Sequence, residues 1–228
     1  MKAHAPFSRI DPQGLFLRED RFVNLRKIAL LGAVLLLSAS QAARADTESL
    51  AKQAAAKIVA EICADCHRSQ GDANPAHAPT LMGQHKSYLA WQLRAYRLGF
   101  RDDAQAHARM WNPASKIDES IVDALAEYYA SQPPAAGRPG DPALVARGKI
   151  LYELGIPAQH IAGCSYCHGP YGEGDGIFPR LAGQRARYLV REISVIQNHS
   201  RNVGIMHSTV EGLSDDDVTA LGVYLQSR

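Results

Sequence analysis

The stretch "CADCH" at residues 63–67 decides how this chain folds, because it recurs as "CSYCH" at residues 164–168. The chain has 228 residues and four cysteines, and all four cysteines lie in these two stretches. In each stretch two residues separate the cysteines, and a histidine follows the second cysteine directly. The two stretches therefore indicate a duplicated site.

Two longer blocks repeat in the same order as the cysteines. The block "PTLMGQHKSYL" at 79–89 recurs as "PRLAGQRARYL" at 179–189, with Pro, Leu, Gly, Gln, Tyr and Leu in register. The block that begins at Met110 recurs from Met206, with matching Met, Val, Ala, Leu and Tyr. Three repeated blocks in one order predict a duplicated domain.

A connector rich in proline and glycine lies between the copies, "SQPPAAGRPGDP" at 131–142. Such a segment cannot continue a helix, and its prolines stiffen it. We therefore predict an N-terminal copy at 46–132, a linker at 133–142 and a C-terminal copy at 143–228.

Each copy has the pattern of a helical protein. Helix formers with apolar residues at three- and four-residue spacing precede both cysteine motifs, at 48–63 and 143–154. Another pair of helices is predicted at 88–98 and 188–197, and a last pair begins at Asp118 and Ser214, which are good N-caps. Asp217 stands at capping-box spacing from Ser214. Since no alternating strand pattern stands out, the predicted fold class is all-α.

The cysteine pairs allow several chemistries, and their context separates them. A redox dithiol of the thioredoxin kind needs a surrounding βαβ pattern, which this sequence lacks. A zinc site usually has its two cysteine pairs about 15 to 20 residues apart, whereas these two pairs are about 100 residues apart. Structural disulfides suit an oxidising compartment but do not explain the histidines. Covalent haem explains the whole motif, because Cys63 with Cys66, and Cys164 with Cys167, can form the thioethers while the next residue binds iron. The spacing favours haem, with disulfide and zinc as the alternatives.

Each copy contains candidate ligands for a haem iron. His67 and His168 are the predicted proximal ligands. Met110 and Met206 occupy equivalent positions in a chain with few methionines, which favours them as the ligands opposite, whereas the unmatched Met82 is interpreted as core filler.

Other histidines compete with the methionines or stand outside the site. His107 lies three residues before Met110 and His207 directly follows Met206, so each is an alternative ligand. The remaining unmatched histidines are interpreted as surface or loop residues: His77, His85, His160 and His199.

These motifs resemble the class I cytochromes c, in particular the exported bacterial di-haem cytochromes of the c4 type. The resemblance covers residues 48–228 and implies two tandem domains, each a small helical bundle around a covalently bound c-type haem. It implies that the backbone carbonyls of Pro79 and Pro179 accept the second ring proton of the proximal histidines, and it agrees with Met110 and Met206 as axial ligands. One departure is Arg68, which stands where the other copy has Gly169 and predicts a different loop beside the first haem.

The first 45 residues predict a secretory signal. Arg26 and Lys27 precede the apolar run "IALLGAVLLL" at 28–37, and "ARA" at 43–45 offers a cleavage site. The run is shorter than the roughly 20 apolar residues of a membrane span, although an uncleaved anchor is the alternative. The leader is long, and a translation start at Val23 would make it compact. The prediction is a periplasmic protein.

Charge adds one exclusion. The leader holds seven of the 25 basic and three of the 23 acidic residues, so the remainder has 18 basic and 20 acidic residues. No basic cluster with interleaved aromatics remains, and we expect no nucleic-acid partner.

An iron held by histidine and methionine has no position open for a substrate, so we predict one-electron transfer without enzymatic activity. The expected partners are a quinol-oxidising complex or dehydrogenase as donor and a terminal oxidase or reductase as acceptor, with peripheral membrane association left open. The alternatives are a cytochrome subunit of a periplasmic dehydrogenase and a di-haem peroxidase. A gas-binding sensor, like the peroxidase, would need an open iron.

Overall fold

The computed structural model describes residues 13–67, 78–101 and 103–228. The chain divides into two compact units, the first ending at Ser49 and the second comprising Leu50–Arg228. The described residues contain many helices and no β-strand, only two isolated bridges. The all-α prediction is therefore confirmed. Arg68 and His77 lie outside the described residues.

The N-terminal copy contains the helices predicted at 48–63, at 88–98 and from Asp118 onward. The predicted segment 48–63 is helical throughout but ends in a π-helical turn at Val59–Cys63. The last helix begins as predicted, since the Asp118 side chain accepts a hydrogen bond from the Ser120 amide. The elements are α1 (Gln13–Ile58), the π turn, α2 (Ala64–His67), α3 (Lys86–Arg97), α4 (Ala104–Ser115) and α5 (Glu119–Ala130).

Helix α1 runs through the predicted cleavage position after Ala45. Among the described residues, no helix has both the length and the apolar character that crossing a membrane requires.

The C-terminal copy repeats this order with one insertion. A loop that contains a short 3-10 helix at Pro157–Gln159 separates its first helix from the cysteines. The capping box predicted at Ser214 and Asp217 is present. The helices are α6 (Pro142–Leu154), α7 (Ser165–His168), α8 (Ala186–Gln197), α9 (Gly204–Val210) and α10 (Asp215–Gln226).

Helix packing places the core of the C-terminal copy around α10. Both α6 and α8 pack against α10. The contact with α6 is close because Gly148 has no side chain: a Cβ there would lie 2.1 Å from the Ala220 carbonyl oxygen. Buried residues from these helices form one continuous core, which includes Tyr152 and Leu221.

The core of the N-terminal copy is divided in two. Helix α3 packs against both α4 and α5. One cluster of buried residues contains Val122 and Leu125 of α5, and a second, smaller cluster contains Tyr96, Ala106 and Ala114. The methionine-bearing helix α4 belongs to the smaller cluster.

The linker packs closely against equivalent loops of both copies. The Gly83 amide donates to the Tyr129 carbonyl, and the Gly183 amide donates to the Leu225 carbonyl, both at 2.9 Å. Both glycines have positive φ, and a Cβ would lie 2.5 Å from Pro134 Cα at Gly83 and 2.3 Å from the Ala135 carbonyl oxygen at Gly183. These two loops carry the repeated Gly-Gln pairs.

Candidate functional site

The cysteine motifs fold as short helical turns that bring each histidine inside. Cys63 ends the π turn and Cys164 caps α7, and both are half-buried, whereas Cys66 and Cys167 are exposed. All four lie in the described part of the chain, and none forms a disulfide. Each turn thus presents two thiols beside one buried imidazole.

The electrostatics of the thiols weigh against a redox dithiol. Burial raises the pKa of Cys164 to about 11, and burial likewise raises the pKa of Cys63. Reactive cysteines need the opposite shift, because the thiolate is the nucleophile. Cys63 and Cys164 are therefore poorly suited to act as the nucleophile of thiol exchange.

Both histidines have the same hydrogen bond. Nδ1 of His67 lies 2.9 Å from the Pro79 carbonyl oxygen, and Nδ1 of His168 lies 2.9 Å from the Pro179 carbonyl oxygen. Since a carbonyl oxygen only accepts, each Nδ1 carries the proton and each Nε2 has a free lone pair. Burial lowers the pKa of both rings, which favours the neutral imidazole.

The Nε2 atom of His67 is the feature that tests the fit of a haem. It is buried and has no hydrogen-bond partner. A buried polar atom without a partner is costly in a folded protein, unless a bound group satisfies it. A neutral imidazole held through Nδ1, next to two cysteines, fits the proximal ligand of a covalently bound haem iron.

The two methionines lie in different surroundings. Met206, in α9, packs against the single core of the C-terminal copy, as does Cys164. Met110, in α4, packs against the small cluster, while Cys63 packs against the main core of its copy. Leu93 touches both of those clusters. Met82 also packs against the main core of the N-terminal copy.

The alternative ligands are engaged elsewhere. His107 is exposed and stacks on Trp111, with ring centroids 5.7 Å apart. His207 donates from Nδ1 to the Ile196 carbonyl at 2.9 Å, and its Nε2 accepts from the Val203 amide at 3.3 Å. Both nitrogens of His207 are therefore occupied.

Contacts between the copies involve residues that the sequence did not single out as functional. Arg101 and Arg201 are both buried, and both bond to Glu192. Arg101 Nη2 lies 2.6 Å from Glu192 Oε2. Arg101 also bonds to Asp103 at 3.0 Å and to Gln92 at 2.8 Å. The sequence did contain a signal for these residues, because Arg101 and Arg201 are 100 residues apart, the same displacement as between the blocks at 79–89 and 179–189.

His85 is one of the histidines interpreted as surface or loop residues, and it lies in the loop before α3. It is half-buried there, and its Nε2 lies 2.9 Å from the Glu173 carbonyl oxygen in the other copy. Its counterpart Arg185 donates to the Ala78 carbonyl at 3.0 Å. This contact joins residues 88 positions apart, so the sequence interpretation of His85 did not include it.

Comparisons with known proteins agree with this geometry. The family model described as cytochrome c matches residues 53–132 and 145–228. Cytochrome c-552 of Acidithiobacillus ferridurans is 34% identical over 200 residues, which cover 87% of this chain and 86% of that protein. The thiosulfate dehydrogenase electron acceptor of Thiomonas intermedia is 36% identical over 191 residues, covering 78% of this chain and 83% of that protein.

A solved structure is similar over both copies. The cytochrome c4 of Acidithiobacillus ferrooxidans superposes with a TM-score of 0.69 at 34% identity, covering 73% of this chain and 98% of that chain. The similarity therefore extends over nearly all of that protein.

Proposed function

Since this chain belongs to the cytochrome c family as a di-haem electron-transfer protein of the cytochrome c4 type, we propose that it carries single electrons through the periplasm between respiratory partners. Its two covalently bound c-type haems fit the cysteine pairs at 63 and 66 and at 164 and 167. The observation that supports the carrier role best is the buried histidine held by a proline carbonyl in both copies.

In this proposal each residue of the site has one task. The cysteines hold the haems by thioether bonds, and His67 and His168 bind iron through Nε2. The carbonyls of Pro79 and Pro179 keep the rings oriented and raise the basicity of the ligating nitrogens. Met110 and Met206 would each supply the second protein ligand of one iron.

When bound, a c-type haem with histidine and methionine ligands exchanges one electron, and the thioether ligand raises its reduction potential. If His67 and Met110 hold one iron and His168 and Met206 hold the other, the chain would leave neither iron a position for a substrate. This is why we propose a carrier and not an enzyme.

The proposed partners are a quinol-oxidising complex or a dehydrogenase as donor, and a terminal oxidase or reductase as acceptor. Exposed apolar side chains beside the ligands, Tyr166 between Cys164 and Cys167 and Ile205 next to Met206, support small transient contacts. Export through the leader, with cleavage after Ala45, is part of the same proposal.

A second candidate function is the dedicated electron acceptor of one periplasmic dehydrogenase. The relative from Thiomonas intermedia is named as the electron acceptor of thiosulfate dehydrogenase, which favours this role. The site chemistry is the same in both candidates, and they differ only in the donor.

The axial ligands can be tested by spectroscopy of the full-length holoprotein. We expect a methionine-to-iron charge-transfer band from both oxidised haems, of which Met110→Ala removes one contribution and Met206→Ala removes the other. Met82→Ala is the matched control, because Met82 packs only against the core, and it should leave the band unchanged.

The carrier proposal fails if carbon monoxide binds to either haem of the unmodified protein, or if that protein turns over peroxide. It also fails if the band survives both substitutions together. Electron transfer from a purified dehydrogenase, compared with transfer from a quinol-oxidising complex, separates the two candidate functions.

A further inference from the structure

Two buried glutamines join the copies in a reciprocal way. The Gln84 side chain donates from Nε2 to the Arg180 carbonyl at 2.9 Å and accepts from the Arg180 amide at 2.7 Å. The Gln184 side chain donates to the Thr80 carbonyl at 3.0 Å and accepts from the Thr80 amide at 2.9 Å. Each glutamine thus pairs with both backbone groups of one residue in the other copy.

The residues held in this way directly follow the two prolines. The carbonyl of Pro79 and the amide of Thr80 belong to one planar peptide group. That group accepts from His67 on one side and donates to Gln184 on the other. Hydrogen bonds in such a chain polarise and strengthen one another.

The C-terminal copy contains the equivalent chain of hydrogen bonds. His168 donates to the Pro179 carbonyl, whose peptide group donates through the Arg180 amide to Gln84. The glutamine side chains are each 6% exposed, so water competes little with these bonds. Each histidine therefore ends a chain of hydrogen bonds that begins in the opposite copy.

We propose that Gln84 and Gln184 are positioning residues, each of which sets the strength of the histidine–proline hydrogen bond in the other copy and thereby the redox equilibrium of the other haem. This inference rests on the proposed function, in which His67 and His168 are iron ligands. When the amide of Thr80 or Arg180 loses its glutamine acceptor, the proline carbonyl of the same peptide group becomes a weaker hydrogen-bond acceptor for the histidine. The imidazole then becomes a weaker base, which favours Fe(II).

The expected effect is crossed between the copies. Gln184→Ala should raise the reduction equilibrium constant of the haem attached at Cys63 and Cys66 about threefold, or about 30 mV for one electron, with the other haem shifting less. Gln84→Ala should shift the haem attached at Cys164 and Cys167 in the same direction. A merely structural role would shift the haem of the mutated copy instead.

Redox titration followed by paramagnetic NMR measures both equilibria in the full-length holoprotein, because the methyl resonances of the two haems titrate separately. The Met110→Ala and Met206→Ala variants assign the resonances. Leucine in place of either glutamine removes the same bonds at similar volume, and it provides the measurement if an alanine variant does not fold.

Gln226, the last residue of α10, provides a matched control because its side chain contacts the first residue of α8. The Gln226 side chain accepts from the Ala186 amide at 3.0 Å, and the Gln184 side chain accepts from the Arg185 amide at 3.0 Å. Both bonds lie within the C-terminal copy. Gln184 adds the bonds to Thr80 in the N-terminal copy, and these are the bonds under test. Gln226→Ala should leave the haem of the N-terminal copy unshifted. A shift there as large as that of Gln184→Ala would contradict the proposal.

The proposal is overturned if the glutamine variants shift only the haem of their own copy, or neither haem, while both methionine bands remain. That result leaves the carrier function intact. Absence of the methionine bands in the unmodified protein would instead refute the proposed function, so the two failures are distinguishable.

Discussion

The two copies anchor their methionine-bearing helices by different means. Helix α4 has 12 residues and is capped by Asp103, whose side chain accepts from the Ala106 amide and bonds to buried Arg101. Helix α9 has seven residues and no side-chain cap, but its Met206 packs against the continuous core. One helix depends on charge and capping, and the other depends on apolar packing.

This difference follows from residue replacements at equivalent positions. Asp103 corresponds to Val203, and Gln92 corresponds to Glu192, so each copy contributes one buried acid to a cluster shared by both. The two acids balance the charges of buried Arg101 and Arg201, and the partly buried Arg191 forms a third ion pair with Glu192. A duplicated sequence has thus become an asymmetric interface in which the copies complete each other.

The largest expected effect comes from the acid that contacts both arginines. Glu192→Gln makes position 192 equivalent to Gln92 and removes the acid that Arg101, Arg201 and the partly buried Arg191 share. We expect the free energy of unfolding to fall by about 3 to 5 kcal/mol, since breaking a buried ion pair leaves a charge without compensation. Denaturant titration measures this loss.

The matched variant at the equivalent position is Gln92→Ala. It removes hydrogen bonds from Arg101 and Arg201 but no charge, so the loss should be about 2 kcal/mol. Equal losses for the two variants would show that the buried charge of Glu192 has no special weight.

A smaller effect should separate the two methionine-bearing helices. Asp103→Asn keeps an N-cap acceptor but removes the charge facing Arg101. We expect a loss of about 2 kcal/mol, less than for Glu192→Gln, because Arg101 keeps its bonds to Glu192 and Gln92. Methionine ligation in the N-terminal copy should then fail at lower denaturant than ligation in the C-terminal copy, as followed by the charge-transfer band.

The control for this variant is Val203→Ala at the equivalent position, which removes apolar packing worth about 1 kcal/mol. It should weaken ligation in the C-terminal copy only. If Asp103→Asn weakens both copies equally, the difference in anchoring is refuted.

The smallest effect concerns the last helix of each copy and depends on pH. Burial raises the pKa of Asp217, but hydrogen bonds from Ser214 and Arg147 outweigh it and the net pKa is lowered. The unfolded chain therefore binds this proton more tightly. Asp217 stabilises the fold above its unfolded pKa of about 3.9, and that stability is lost as pH falls through the lower folded pKa.

Asp217→Asn should accordingly be less stable than the unmodified protein at pH near 6, and the difference should shrink below about pH 4. Denaturant titrations at several pH values give the two curves. In the N-terminal copy, hydrogen bonds from Ser120 lower the pKa of exposed Asp118, and Asp118→Asn should show a smaller change of the same sign. A difference that grows toward acid pH would contradict this assignment.

Several elements could be predicted from the sequence because their causes are local. The caps at Asp118 and Ser214 each act within three residues, and the helices at 143–154 and 188–197 follow from apolar spacing on one face. The cysteine and histidine spacing is local as well. The helices that carry Met110 and Met206 were not predicted, since the short α9 has little periodic pattern of its own.

The sequence by itself determined the duplication, the helical fold and the two cysteine pairs that fit covalent haem, because each can be recognised from residues close together along the chain. The tertiary structure alone decided how the copies meet. The bonds from Gln84 and Gln184 span 96 and 104 residues, and Arg101 meets Glu192 across 91. No pattern along the sequence marks such contacts. Hydrogen bonds of a glutamine amide or an arginine are strong when they are buried, and these side chains become buried only when the two copies fold together.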